Sequence, residues 1–118
     1  MDTSCTIYKT MDLIGKRWFL LILLEIHKGE GSKRYSEVRK SMPGITAKVL
    51  SQRLKELCRL GMVEKKVFSE TFPVTCEYSL TSKGKDFIRI VKSIKLWALK
   101  WNIQNQVCAG TNCKDCVL

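Results

Sequence analysis

Residues 44–61 read Gly44-Ile45-Thr46-Ala47-Lys48-Val49-Leu50-Ser51-Gln52-Arg53-Leu54-Lys55-Glu56-Leu57-Cys58-Arg59-Leu60-Gly61. Thr46 can cap a helix, because its hydroxyl accepts a bond from an orphan amide of the first turn. Gly61 stands where helices commonly stop. Ala47, Leu50, Leu54, Leu57 and Cys58 recur at helical spacing on one side, while Lys48, Ser51, Gln52, Lys55 and Arg59 lie on or near the other. The stretch therefore predicts a helix to about Leu60 that packs one face and turns a basic, hydrogen-bonding face outward.

Upstream, Ser36 is the N-cap candidate for a short helix through about Met42, and Pro43-Gly44 ends it in a turn. Further back, Arg17 to His27 is almost wholly apolar and reads as a helix buried on most sides. A shorter amphipathic helix with Ile7, Met11 and Ile14 precedes it, and Lys28 to Ser32 is a loop on composition. Downstream, Val63 to Phe68 and Val74 to Leu80 have strand composition. In the second, Val74, Cys76, Tyr78 and Leu80 alternate with Thr75, Glu77 and Ser79. Ser69 to Pro73 joins them into a hairpin.

The order helix, helix, helix, hairpin predicts a winged helix-turn-helix, mainly α with a small β-hairpin wing. Thr81 caps a final long helix in which Phe87, Ile90, Ile94, Trp97 and Trp101 recur at spacings of 3, 4, 3 and 4. That stripe exceeds what one small domain needs for its own core and predicts a partner helix, hence a homodimer. Residues 1–101 are then one DNA-binding domain with its dimerisation helices, and residues 102–118 a Cys-rich tail.

Charge narrows the function. The 118 residues carry 21 Lys and Arg against 11 Asp and Glu, a formal +10, with 45% hydrophobic residues to build a core. Between Lys33 and Lys66 ten Lys and Arg face three Glu, so the helix-turn-helix segment is more basic than the chain average. Such a surface attracts polyanions, with double-stranded DNA first among them. The longest apolar run, Trp18 to Leu24, is far short of the ~20 residues that cross a bilayer. The opening MDTSCTIYKT lacks the pattern of a secretory signal, so the expected compartment is the cytoplasm and no membrane partner is expected. One histidine, no paired carboxylates, no Gly-rich phosphate loop and no Ser/His/Asp arrangement leave nothing to carry a reaction.

Trp18, Pro43-Gly44-Ile45, the Gly44 to Leu54 stretch with Leu57 and Gly61-Met62-Val63-Glu64, and Glu77-Tyr78-Ser79-Leu80-Thr81 with Gly84 together resemble the HxlR-type regulators, relatives of MarR. The resemblance covers roughly Cys5 to Trp101. It implies a dimeric winged-helix repressor or activator paired through its terminal helices, in several members controlled by oxidation of a thiol near the N-terminus. Cys5 matches that thiol. Thr6 stands where the family usually has Pro. Thr75 and Glu70 replace the basic residue common at the wing, which argues against minor-groove insertion of an Arg there. Gly29 to Arg34 looks slightly longer than usual, and the tail has no counterpart.

Within that frame Thr46, Lys48, Ser51, Gln52 and Lys55 are the candidates for base edges or adjacent phosphates, since Gln pairs with adenine and Lys with guanine in the major groove. Arg53, nearer the core edge, can reach a phosphate or an acidic neighbour. Lys33, Arg34, Lys65 and Lys66 are phosphate candidates.

The six cysteines divide by position. Cys58 and Cys76 fall on apolar faces and read as core thiols. Cys5 precedes the first helix, a position that favours a reactive thiolate, and is the redox-sensing candidate. Cys108-x4-Cys113-x2-Cys116 has the spacing of three ligands of an iron–sulfur site, while Cys113 and Cys116 could instead hold zinc or close a disulfide. An inert tail is the third reading. His27, alone on an apolar helix, reads as structural. The alternative function is a winged-helix protein-docking module without specific DNA binding, which salt dependence would separate from a DNA binder.

Overall fold

A computed structural model describes residues 1–101 and 109–116. The order is α1 (Thr6–Ile14), α2 (Phe19–His27), β1 (Ser32–Arg34), α3 (Tyr35–Ser41), α4 (Ala47–Arg59), β2 (Val63–Phe68), β3 (Thr75–Leu80) and α5 (Ser82–Trp101), with a 3-10 turn at Cys113–Asp115. The antiparallel sheet has strand order β1-β3-β2. This is the winged helix-turn-helix expected from the pattern, with a third strand in the wing sheet.

α2 is the hub. Phe19, Ile22, Leu23 and Ile26 are buried against Val38 and Met42 of the α3 segment, Leu50, Leu54 and Leu57 of α4, Tyr78 and Leu80 of β3, and Ile88 of α5. Each such side chain taken from water contributes about 1.5–3 kcal/mol. The helix is not covered all round, since Leu21 is half exposed. It also begins at Phe19 and not at Arg17, because Trp18 adopts φ 76, a left-handed conformation that breaks helical continuity. The Arg17 guanidinium lies 4.9 Å from the centre of the Trp18 ring.

Two further boundaries differ from the sequence reading. Ser36 is not the cap of α3: Arg34 is, in extended conformation, and its N–H donates to Glu37 Oε1 at 3.1 Å. Arg34 can take that role because β1, not a loop, delivers it. Ser32, Lys33 and Arg34 pair with Ser79, Tyr78 and Glu77. On the other edge Val63 pairs with Leu80 and Phe68 with Thr75, so β3 starts at Thr75, one residue after Val74.

α4 is framed as its ends predict. Thr46 Oγ1 accepts from Val49 N at 3.2 Å. At the other end Gly61 has φ 73, where a Cβ would be strained, and it lets Gly61 N reach Cys58 O and Met62 N reach Leu57 O, both at 3.0 Å. The start of α5 then closes over this end. The Thr81 hydroxyl donates to Gly61 O and accepts from Gly84 N, Thr81 N donates to Met62 O, and Lys83 Nζ donates to Leu60 O. The lysine adds positive charge where the helix dipole is negative.

Gly84 makes the closure possible. A Cβ there would lie 2.2 Å from Met62 O. Gly→Ala within a helix ordinarily stabilises by about 1 kcal/mol. Gly84→Ala is expected to do the opposite and lower unfolding stability by about 1–3 kcal/mol through overpacking. Urea denaturation of both proteins checks this, and an unchanged or higher midpoint would show that the contact does not constrain the fold.

Candidate nucleic-acid interface

Leu50, Leu54 and Leu57 anchor one face of α4, which leaves Thr46, Lys48, Gln52, Lys55 and Arg59 exposed on the rest. Ala47 is also exposed, contrary to its expected packing role, because the first turn of α4 projects past the core. Its carbonyl accepts from Tyr35 Oη at 3.4 Å, and the same phenol lies 3.5 Å from Ser51 Oγ. Tyr35 therefore links α3 to α4, a role the sequence pattern did not reveal because a tyrosine at a helix start has no fixed partner. Ser51 is half-buried and shares a groove of about 240 Å³ between α4 and the wing with Lys55, Cys58, Lys65 and Tyr78. Lys48, Gln52, Lys55 and Lys65 can thus be offered to one ligand.

Other candidates are placed elsewhere. Arg53 turns inward: its Nε donates to Arg17 O at 3.0 Å and its Nη1 to Glu56 Oε1 at 3.1 Å. Lys16 Nζ reaches the same Glu56 oxygen at 3.4 Å. These bonds tie α4 to the segment before α2, so Arg53 takes the acidic neighbour and not an outward contact. Lys33 is half-buried in a rear cavity of about 520 Å³ with Glu25, Lys28, Ser41 and Lys114. Arg34 lies at the root of the wing beside Val74 and Thr75. Strand alternation sends Lys66 to the face opposite Lys65, where its ammonium sits 5.2 Å from the Phe68 ring centre. At the wing tip Phe72 is fully exposed.

Burial sets the protonation of groups behind this face. The Tyr78 phenol is pushed up to about 12, mainly by burial, so it stays neutral at physiological pH. Burial also raises Cys58, with Lys65 opposing, which favours the thiol over the reactive thiolate. Cys58 and Cys76 pack against the core as expected.

The dimer stripe divides. Phe87 packs against the core, whereas Ile90, Ile94, Trp97 and Trp101 are exposed, Trp97 by 61% and Trp101 by 63%. Ile7 and Met11 of α1 are exposed as well. Cys5 is the N-cap of α1, partly exposed, and its side chain makes no capping bond. Cys108 lies outside the described residues, and among the described ones no three Cys, His, Asp or Glu side chains gather as a metal site would need. No described helix is long and apolar enough to cross a membrane.

Residues 13–106 match the family described as HxlR-like helix-turn-helix. The chain belongs to that family. The helix-turn-helix-type regulator YvaP of Bacillus subtilis (strain 168) is 44% identical over 93 residues, covering 79% of this chain and 83% of the relative. YodB of the same organism is 40% identical over 98 residues, covering 82% and 85%. The solved reduced form of YodB aligns with TM-score 0.71 at 33% identity, covering 83% of this chain and 94% of that one. The redox regulator HypR, in its oxidised form, aligns with TM-score 0.68 at 34% identity, covering 85% and 100%. This HxlR-like chain is a helix-turn-helix transcription regulator, and its family is one of regulators, not enzymes.

The single histidine provides a pH probe of the scaffold behind the interface. His27 ends α2 with Nε2 buried, and its pKa is lowered from 6.5 by burial first, then by Lys92 and Lys114. The unfolded chain therefore binds this proton more readily, and stability falls as pH drops from about 7 through 6.5 toward the folded value. His27→Gln is expected to flatten the stability profile across that window in urea titrations. An equal slope in both proteins would show that His27 is not the titrating group.

Proposed function

We propose that the protein is a sequence-specific DNA-binding regulator that acts in the cytoplasm as a homodimer on an inverted-repeat operator. The observation that carries this reading is α4: a helix held by three buried leucines on one face, with Lys48, Gln52, Lys55 and Arg59 exposed on the remainder. A major groove admits such a helix and supplies the acceptors and donors these side chains match. Thr46, Lys48, Ser51, Gln52 and Lys55 read base edges or the phosphates beside them. Lys65 and Arg34 on the wing sheet meet flanking backbone. Lys33, Lys66 and Arg53 contribute to the field or the scaffold more than to direct contact.

The exposed Ile90, Ile94, Trp97 and Trp101, with Ile7 and Met11, supply the pairing face. A two-fold pair sets two α4 helices about one DNA turn apart, ~34 Å, which a palindromic site mirrors. Cys5, partly exposed at the start of α1, is the thiol whose oxidation alters this pairing.

Fluorescence anisotropy with DNA from upstream of the protein's own gene and a scrambled control tests the reading. The upstream fragment is expected to bind more tightly, and Gln52→Ala to narrow that preference by about 1–3 kcal/mol. Trp97→Glu is expected to yield a folded monomer in sedimentation velocity with weakened DNA binding. Equal affinity for both fragments, or a Trp97→Glu dimer, would contradict the corresponding part of the proposal.

A further inference from the structure

The tail returns to the DNA-binding domain at a defined place. Lys95 Nζ donates to Thr111 O at 2.6 Å, and Gly29 N donates to Lys114 O at 2.9 Å. Between these anchors Asn112 caps the 3-10 turn, its Oδ1 accepting from Lys114 N at 3.0 Å. Cys116 N donates to Cys113 O at 3.4 Å, so the two cysteines close one turn. Side chains three apart in such a turn eclipse one another. Both cysteines line the same cavity of about 340 Å³, whose wall includes Trp18 and Leu24 of the α2 region and Met42 and Pro43 of the turn before α4. Both are partly exposed, unlike a core thiol.

From this placement we infer that Cys113 and Cys116 form a dithiol that a hydroperoxide closes to an intrachain disulfide, and that closure alters DNA affinity through the α3–α4 turn. Tetrahedral zinc requires four ligands. A disulfide requires only the pair, and Cα atoms three apart in a tight turn fall within the span of roughly 4.4–6.8 Å that it bridges.

In the reaction one thiolate sulfur attacks the terminal oxygen of the hydroperoxide. The O–O bond breaks, the alkoxide leaves as the alcohol after taking a proton, and a sulfenic acid forms. The second sulfur then attacks the sulfenyl sulfur, the S–O bond breaks, and hydroxide leaves as water with the second thiol's proton. Two thiols and one hydroperoxide give one disulfide, one alcohol and one water. The sulfurs lose the two electrons that the peroxide gains. Drawing the sulfurs together reshapes the cavity they line with Met42 and Pro43, the residues that set the entry of α4.

The regulatory half rests on the DNA-binding reading, so DNA affinity of the reduced protein is measured first; failure to bind there would count against that reading alone. The full chain carrying Cys5→Ser and Cys108→Ser is then treated with hydrogen peroxide and mapped by mass spectrometry. The expected product is a Cys113–Cys116 link within one chain, 2 Da lighter than the dithiol, with a change in DNA affinity of about fivefold or more that dithiothreitol reverses. Cys113→Ser and Cys116→Ser, each added to that background, should abolish both changes. Sulfinic acid without a link, links only between chains, one zinc per chain in the purified protein held by these cysteines, or closure that leaves affinity unchanged would each overturn the inference.

Discussion

The closure of α5 over the end of α4 is the constraint on which the DNA-facing surface depends. A helix that reads a groove must be fixed at a definite angle, and α4 leaves free carbonyls at its C-terminus that would otherwise fray in water. Thr81, Lys83 and Gly84 act there together. The hydroxyl takes Gly61 O, the ammonium takes Leu60 O, and the missing side chain of Gly84 lets α5 come against Met62. The same few residues begin the long helix that carries the exposed tryptophans. The orientation of α4 and that of α5 are thereby set by one junction.

Electrostatics follows from that framework. Glu56 holds Lys16 and Arg53 on one oxygen at the edge of α4 facing the segment before α2. Arg53 of the basic segment and Lys16 upstream of it are thus used internally, on joining helices. Arg34, Arg39, Lys40, Lys48, Lys55, Arg59, Lys65 and Lys66 remain exposed, and Lys48, Lys55, Arg59 and Lys65 lie along α4 or the strand beside it. The positive charge of this segment is consequently divided between cations paired internally and solvated ones, several of which line the outward side of α4.

Much of this was legible in the residues, for a physical reason. Where a boundary depends on local chemistry, such as the Thr46 cap, the Gly61 stop or the alternation in β3, the sequence reading and the structure agree to within a residue. Where it depends on a distant partner, they part. β1 is three polar or charged residues whose strand identity comes from pairing with Ser79, Tyr78 and Glu77. Trp18 enters the left-handed region because the fold around it overrides local preference, and Ser36 loses the capping role once β1 delivers Arg34. The site behaves likewise. The outward face of α4 could be read from its period, but the inward turn of Arg53, the rear position of Lys33 and the part of Tyr35 rest on contacts across the fold.

The measurement that bears most directly on α4 as a DNA-reading helix is the salt dependence of binding to the upstream fragment. With about six phosphates neutralised per site, log affinity should fall against log salt concentration with a slope of about −5. Lys48→Ala, which removes one cation from each protomer of the proposed pair, should make that slope shallower by about 2. A slope near zero, unchanged by that substitution, would contradict the account and point to an apolar protein partner in place of DNA.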